Sequence, residues 1–186
     1  MSATKYPDEP AGPFPAPPRT ITDREGNRIE LELVDPDDRS TREALVTMYE
    51  RFDPADRAQG IPPLGETAIR EWIDLIVAEG TDVVAWADGE IVGHVTLVPE
   101  NDDGEHELAI FVLQEHQEKG IGTELLRTAL GAAAAAGVEY VWLTVERWND
   151  VAIRVYESTG FEPTGAGNFE LEMTMRLTPV DRCTAT

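Results

Sequence analysis

Apolar and polar residues alternate over Arg28-Ile29-Glu30-Leu31-Glu32-Leu33, a period of two that predicts a strand with one buried face. Together with Arg19-Thr20-Ile21-Thr22 it flanks the turn Asp23 to Asn27, which contains Gly26, and the pair reads as a hairpin. The period then changes. Ala44, Leu45, Met48, Tyr49 and Phe52 recur at helical spacing after Asp37, Asp38 and Ser40, residues able to cap a helix start. Ile69, Trp72, Ile73, Ile76 and Val77 give a second amphipathic helix over about 66–79, stopped by Gly80. Val83 to Trp86 and Ile91 to Leu97 lie on either side of Asp88-Gly89, a strong hairpin signal. An acidic loop, Glu100 to Glu105, leads into the apolar run Leu108 to Leu113.

A glycine turn and a long alanine-rich helix ending at Gly137 follow, then a strand over 140–145 and a short helix from Asn149 to Gly160. In the last strand Phe169, Leu171, Met173 and Met175 share one face, and Glu170, Glu172, Thr174 and Arg176 share the other. Early hairpins and one later strand–helix–strand crossover imply an α/β (α+β) fold: a mixed central sheet of six to seven strands flanked by about four helices. One domain is expected over 19–178. A disordered, proline-rich tail precedes it over 1–18, where Pro7, Pro10, Pro13, Pro15, Pro17 and Pro18 forbid helix and central strand. A short tail closes the chain over 179–186.

Composition narrows the picture. The 186 residues are 41% hydrophobic, with no apolar run long enough to span a bilayer. The segment from Met1 to Pro18 lacks a basic-then-apolar layout, and the simplest expectation is a cytoplasmic protein. Cys183 is the one cysteine, which excludes an internal disulfide framework and a cysteine metal cluster; His94 and His116 read as structural, and no metal is expected. Thirty-six acidic against fifteen basic residues give a net charge of −21, and only Lys5 and Lys119 are lysines. A solvated surface accounts for such an excess. So does the proteome of a salt-loving microbe, where concentrated salt screens self-repulsion. Either way, the charge opposes nucleic-acid binding.

The chemistry concentrates between the strand ending near Leu113 and the alanine-rich helix. Gln117-Glu118-Lys119-Gly120-Ile121-Gly122 places two glycines where backbone amides crowd a helix N-terminus, a ready-made anion site that side chains at Gly120 and Gly122 would block. Lys119 adds a positive charge there. The spacing lacks the Gly-Lys-Ser/Thr ending of nucleotide hydrolases and the three-glycine pattern of dinucleotide binders.

Ile110-Phe111-Val112 leading into Gln117-x-x-Gly120-x-Gly122, with Asn149, Tyr156 and Gly160-Phe161 in the spacing Asn-x6-Tyr-x3-Gly-Phe, resembles the acetyl-CoA motifs of the GNAT N-acetyltransferase superfamily. The resemblance covers roughly residues 28 to 177. It implies direct acetyl transfer from acetyl-CoA to an amine of a small molecule or a protein, with no acyl-cysteine step. It further implies that backbone groups of Ile110, Phe111 and Val112 pair with the pantetheine arm, and that amides of Glu118, Lys119, Gly120, Ile121, Gly122 and Thr123 receive the pyrophosphate. Asn149 contacts the cofactor arm, and Tyr156 returns a proton to the departing thiolate. Backbone amides near Val112 stabilise the oxyanion.

Two of these residues have competing structural roles: Asn149 as a helix cap, and Tyr156 as a core aromatic sharing a helical face with Ala152, Val155 and Thr159. Glu107 is the first candidate base, followed by Glu146 and His106, though each also reads as a solvated charge. Thr144 stands where some family members carry an acid. The many carboxylates favour a cationic acceptor, and a second copy of the chain is an admissible partner. The rival reading is a non-catalytic acyl-CoA sensor with the same fold.

Overall fold

The computed structural model describes residues 6–57 and 61–180. Eight strands form one sheet in the order β1-β2-β3-β4-β5-β6-β8-β7. The strands are β1 (Arg19–Thr22), β2 (Arg28–Leu33), β3 (Thr81–Ala87), β4 (Glu90–Pro99), β5 (Glu105–Val112), β6 (Tyr140–Glu146), β7 (Glu162–Ala166) and β8 (Glu170–Arg176). The helices are α1 (Arg39–Glu50), α2 (Glu66–Glu79), α3 (Ile121–Ala135) and α4 (Asp150–Thr159). Every neighbouring pair is antiparallel except β5–β6, which the α3 crossover makes parallel. The expected mixed sheet with four helices is present, enlarged by β7. That strand hid behind Pro163 and Gly165, where its ladder with β8 shifts register.

Helices cover both faces. Phe111 on β5 meets Tyr49 of α1 and Trp72 of α2 edge-on, at ring-centre distances of 5.6 and 5.9 Å, so odd-numbered β5 side chains point to the α1–α2 face. His94 is fully buried on that face, held between Tyr49 Oη (2.6 Å) and Asp82 Oδ1 (2.8 Å), as its structural reading requires. On the other face a Cβ at Gly93 would stand 2.9 Å from Leu125 Cδ2, so the missing side chain lets α3 lie against β4. Ile121, Leu125, Leu126, Ala129 and Leu130 are fully buried along that contact.

Over residues 6–18 the proline-rich segment is docked against the domain rather than a free tail. Ala11 N–H donates to Arg176 O at 2.8 Å, Thr178 N–H donates to Ala11 O at 2.9 Å, and Ala11 bridges Leu177. A Cβ at Gly131 would lie 2.1 Å from Pro15 O, so the one glycine of the alanine run is where the segment crosses α3. Farther back, the Tyr6 ring packs on Tyr140 at 4.7 Å. Within the expected C-terminal tail, residues 179–180 are described; Cys183 lies outside the described residues.

Candidate active site

β5 pairs with β4 at seven positions, from Gly93↔Val112 to Pro99↔His106, but with β6 at only three, Glu105↔Tyr140, His106↔Val141 and Glu107↔Trp142. Beyond Glu107 the two parallel strands part. Leu113 N–H donates to Val92 O and Glu100 N–H to Glu105 O, so in this ladder the odd-numbered residues turn their backbone groups toward β4. Ile110 and Val112 therefore aim theirs into the gap. Phe111 does not: its backbone belongs to the β4 ladder opposite His94, which corrects its expected pairing with the cofactor arm and leaves its ring in the aromatic cluster. Gln117 Nε2 donates to Val112 O at 3.0 Å, capping one of the carbonyls that faces the gap.

At the end of β5 the chain turns through Glu118, at φ +60°, and Gly120, at φ +88°, into α3. The first helical bond in that turn is Glu124 N–H to Gly120 O, which leaves the amides of Ile121, Gly122 and Thr123 without helical acceptors. A Cβ at Gly122 would meet only Val112 Cγ2, at 3.8 Å, and its φ is not in the glycine-only region. Neither packing nor backbone strain calls for glycine there, although glycine costs a helix roughly 1 kcal/mol relative to alanine. A side chain at Gly122 would stand beside Val112 in the first turn of α3, where the amides have no helical acceptors. The cradle thus fits a phosphate-bearing ligand. Lys119, expected to supply the local positive charge, is instead ion-paired to Glu25 at 2.8 Å.

Asn149 Oδ1 accepts from Ala152 N–H at 3.1 Å, so the side chain caps α4. Tyr156, on α4, is buried with its ring 5.8 Å from Phe161; burial pushes its hydroxyl up to about 12, and no hydrogen-bond partner faces it among the described residues. A phenol buried in this way stays protonated at any physiological pH, although the same upward shift makes it a weaker acid than an exposed tyrosine.

Glu107 sits where β5 and β6 part and points to the α1–α2 face. Partial burial first, then the charge of Glu100, raises its carboxyl above the ordinary range, although the side chain as a whole is exposed and solvent moderates both effects. His106 alternates to the opposite face and pairs with Gly104 O, which removes it from Glu107's side. Glu146 shares Glu107's face at the far end of β6. Sequence reasoning missed Trp142, the register partner of Glu107, whose buried indole N–H has no hydrogen-bond partner among the described residues.

The model of the acetyltransferase (GNAT) family matches residues 42–161, well over half of the chain and inclusive of the cradle and Tyr156. This chain belongs to the GNAT family. An uncharacterized N-acetyltransferase of Mycobacterium tuberculosis is 36% identical over 85 residues, 45% of this chain and 54% of that protein. The chain thus matches about half the length of such curated relatives. Among solved structures, the GNAT domain of S. lividans PAT superposes with a TM-score of 0.71 at 18% identity, over 86% of this chain and 96% of that one. PaiA N-acetyltransferase from Thermoplasma acidophilum, solved in complex with coenzyme A, gives 0.59 at 20% identity, over 80% and 98%. At those identities the two GNAT structures establish the fold. No helix among the described residues is long and apolar enough to cross a membrane.

Proposed function

We propose that the chain transfers an acetyl group from acetyl-CoA to an amine. The observation that carries this reading is the opening between β5 and β6 beside a glycine cradle, inside a GNAT domain. Ile110 and Val112 would hold the pantetheine arm as an added strand does, and the amides of Ile121, Gly122 and Thr123 would hold the pyrophosphate. When bound, acetyl-CoA supplies an activated thioester carbonyl. The chain's own work is then to move protons. The Glu107 carboxylate would take one from the incoming ammonium, directly or through water; as the carbon–sulfur bond breaks, the Tyr156 hydroxyl would donate one to the departing sulfur and be restored by the second proton that leaves the acetylated nitrogen.

The acceptor is a cationic amine on this reading. Register and alternation put Glu105, Glu107, Glu146, Glu170 and Glu172 on the face shared with Trp142, and such a surface favours ammonium groups and disfavours anionic acceptors. The arginine-rich, lysine-poor acidic composition further supports an intracellular origin in concentrated salt.

Calorimetry with acetyl-CoA in molar potassium chloride tests the core of the proposal. Wild type should bind, and Gly120→Glu should lose at least about 100-fold in affinity through a blocked and negatively charged cradle. A wild type that binds neither acetyl-CoA nor CoA at any salt concentration would end the acetyltransferase reading. A wild type that binds, but turns over no mono- or polyamine, would favour the sensor instead.

A further inference from the structure

The glycine turn is gripped by an element 94 residues away in the chain. The β1–β2 turn folds around the Asp23 carboxylate, which accepts from Glu25 N–H at 2.9 Å, Asn27 N–H at 2.8 Å and Asn27 Nδ2 at 3.0 Å. From this braced turn Arg24 reaches across. Its backbone N–H donates to Lys119 O at 3.0 Å and its Nη1 to Glu118 O at 2.9 Å. Its Nε stands 3.9 Å from where a Cβ on Gly120 would be.

The neighbouring charges are already matched. Lys119 pairs with Glu25 at 2.8 Å, Arg51 with Glu115 at 2.7 Å and Arg19 with Glu124 at 3.0 Å. Arg24 has no carboxylate partner among the described residues. A guanidinium offers five donors in a planar fork, and here one of them is satisfied by a neutral carbonyl. In a chain of net charge −21, an exposed, unneutralised guanidinium beside Gly120 and the free amides of α3 is the complement of a phosphate.

We propose that Arg24 is a phosphate-binding residue of the acetyl-CoA site, delivered by the N-terminal hairpin in the role that Lys119 is too engaged to fill. The proposal rests on the acetyl-CoA reading above. It assigns β1 and β2 a part in cofactor recognition, although the match to the family model begins only at residue 42. The pyrophosphate and the 3′-phosphate of the nucleotide offer the same chemistry to a guanidinium, and shortened ligands separate them.

The test is calorimetry of wild type, Arg24→Ala and Arg24→Lys with acetyl-CoA, its 3′-dephospho form and S-acetylpantetheine, at low salt and in molar potassium chloride. Melting of each unliganded variant is followed in parallel. At low salt Arg24→Ala should weaken acetyl-CoA about tenfold, Arg24→Lys should recover part of that, and acetylpantetheine, which has no phosphate, should be unaffected. The loss should shrink in high salt. A loss that persists with the dephospho ligand assigns the contact to the pyrophosphate, and one that disappears assigns it to the 3′-phosphate; both uphold the proposal. Unchanged acetyl-CoA affinity in Arg24→Ala would overturn it. So would an equal loss for acetylpantetheine with a lowered melting temperature, since that marks mere support of the Glu118 backbone. A wild type that binds no acetyl-CoA defeats the acetyltransferase reading itself and the proposal with it.

Discussion

The two edges of β5 differ sharply. Toward β4 its ladder runs unbroken over seven residue pairs, backed by α1 and α2 on one face and α3 on the other; toward β6 it stops after three. Backbone donors and acceptors inside a sheet are costly to leave unmatched, and the edge that stops in mid-strand is where the proposed cofactor arm would pair. The closed edge supplies rigidity. The open edge supplies backbone groups at Ile110 and Val112, with a helix N-terminus at its mouth.

The largest effect is expected from breaking the closed side. Leu125→Ala removes a fully buried side chain packed over Gly93 and should cost about 2–5 kcal/mol of stability, measured by denaturant unfolding. Cofactor binding should fail only when the whole domain unfolds.

Next comes the proton donor proposed for the open side. Tyr156→Phe keeps the ring's packing on Phe161 and should lower kcat about 100-fold with acetyl-CoA affinity retained. A variant that turns over normally would return Tyr156 to its role as a core aromatic.

A smaller effect should follow from Glu100→Gln. Burial and the Glu100 charge both hold the Glu107 carboxyl above its ordinary range, and the proposed role as base needs the ionised form. Removing the Glu100 charge lets Glu107 lose its proton at lower pH, so the acid limb of the pH–rate profile should move down in pH. Because burial is the larger cause, the limb should stop short of an ordinary glutamate's. An acid limb that stays in place would remove Glu107 as the base.

Gly131→Ala should have the mildest outcome. The added methyl collides with Pro15 O and lifts the segment over residues 6–18, so trypsin should cut after Arg19 faster, while kcat changes less than about twofold.

Much of this was legible in the chain because its cues are local. The period-two and helical runs, the Asp88-Gly89 turn and the glycine turn before α3 each sit within a dozen residues, and α2 falls on Glu66–Glu79 as its spacing predicts. What escaped depends on residues far apart. Phe111's backbone direction follows from the parity of its ladder with β4, which no apolar run encodes. Lys119's engagement with Glu25, and Arg24's reach to Glu118, join segments about 94 positions apart. The docking of the proline-rich segment turns on the space above Gly131, which reads in isolation as one weak position in a good helix.

The same segment bears on how the protein should be handled. Tyr6 ends its path against Tyr140, on the carboxylate-lined face next to Trp142, and burial together with Glu105 holds its hydroxyl protonated. The described residues therefore begin beside the face proposed for the acceptor. A polyhistidine tag on this terminus would stand only a few residues along the chain from those carboxylates, and its partly cationic imidazoles should compete with the amine under assay.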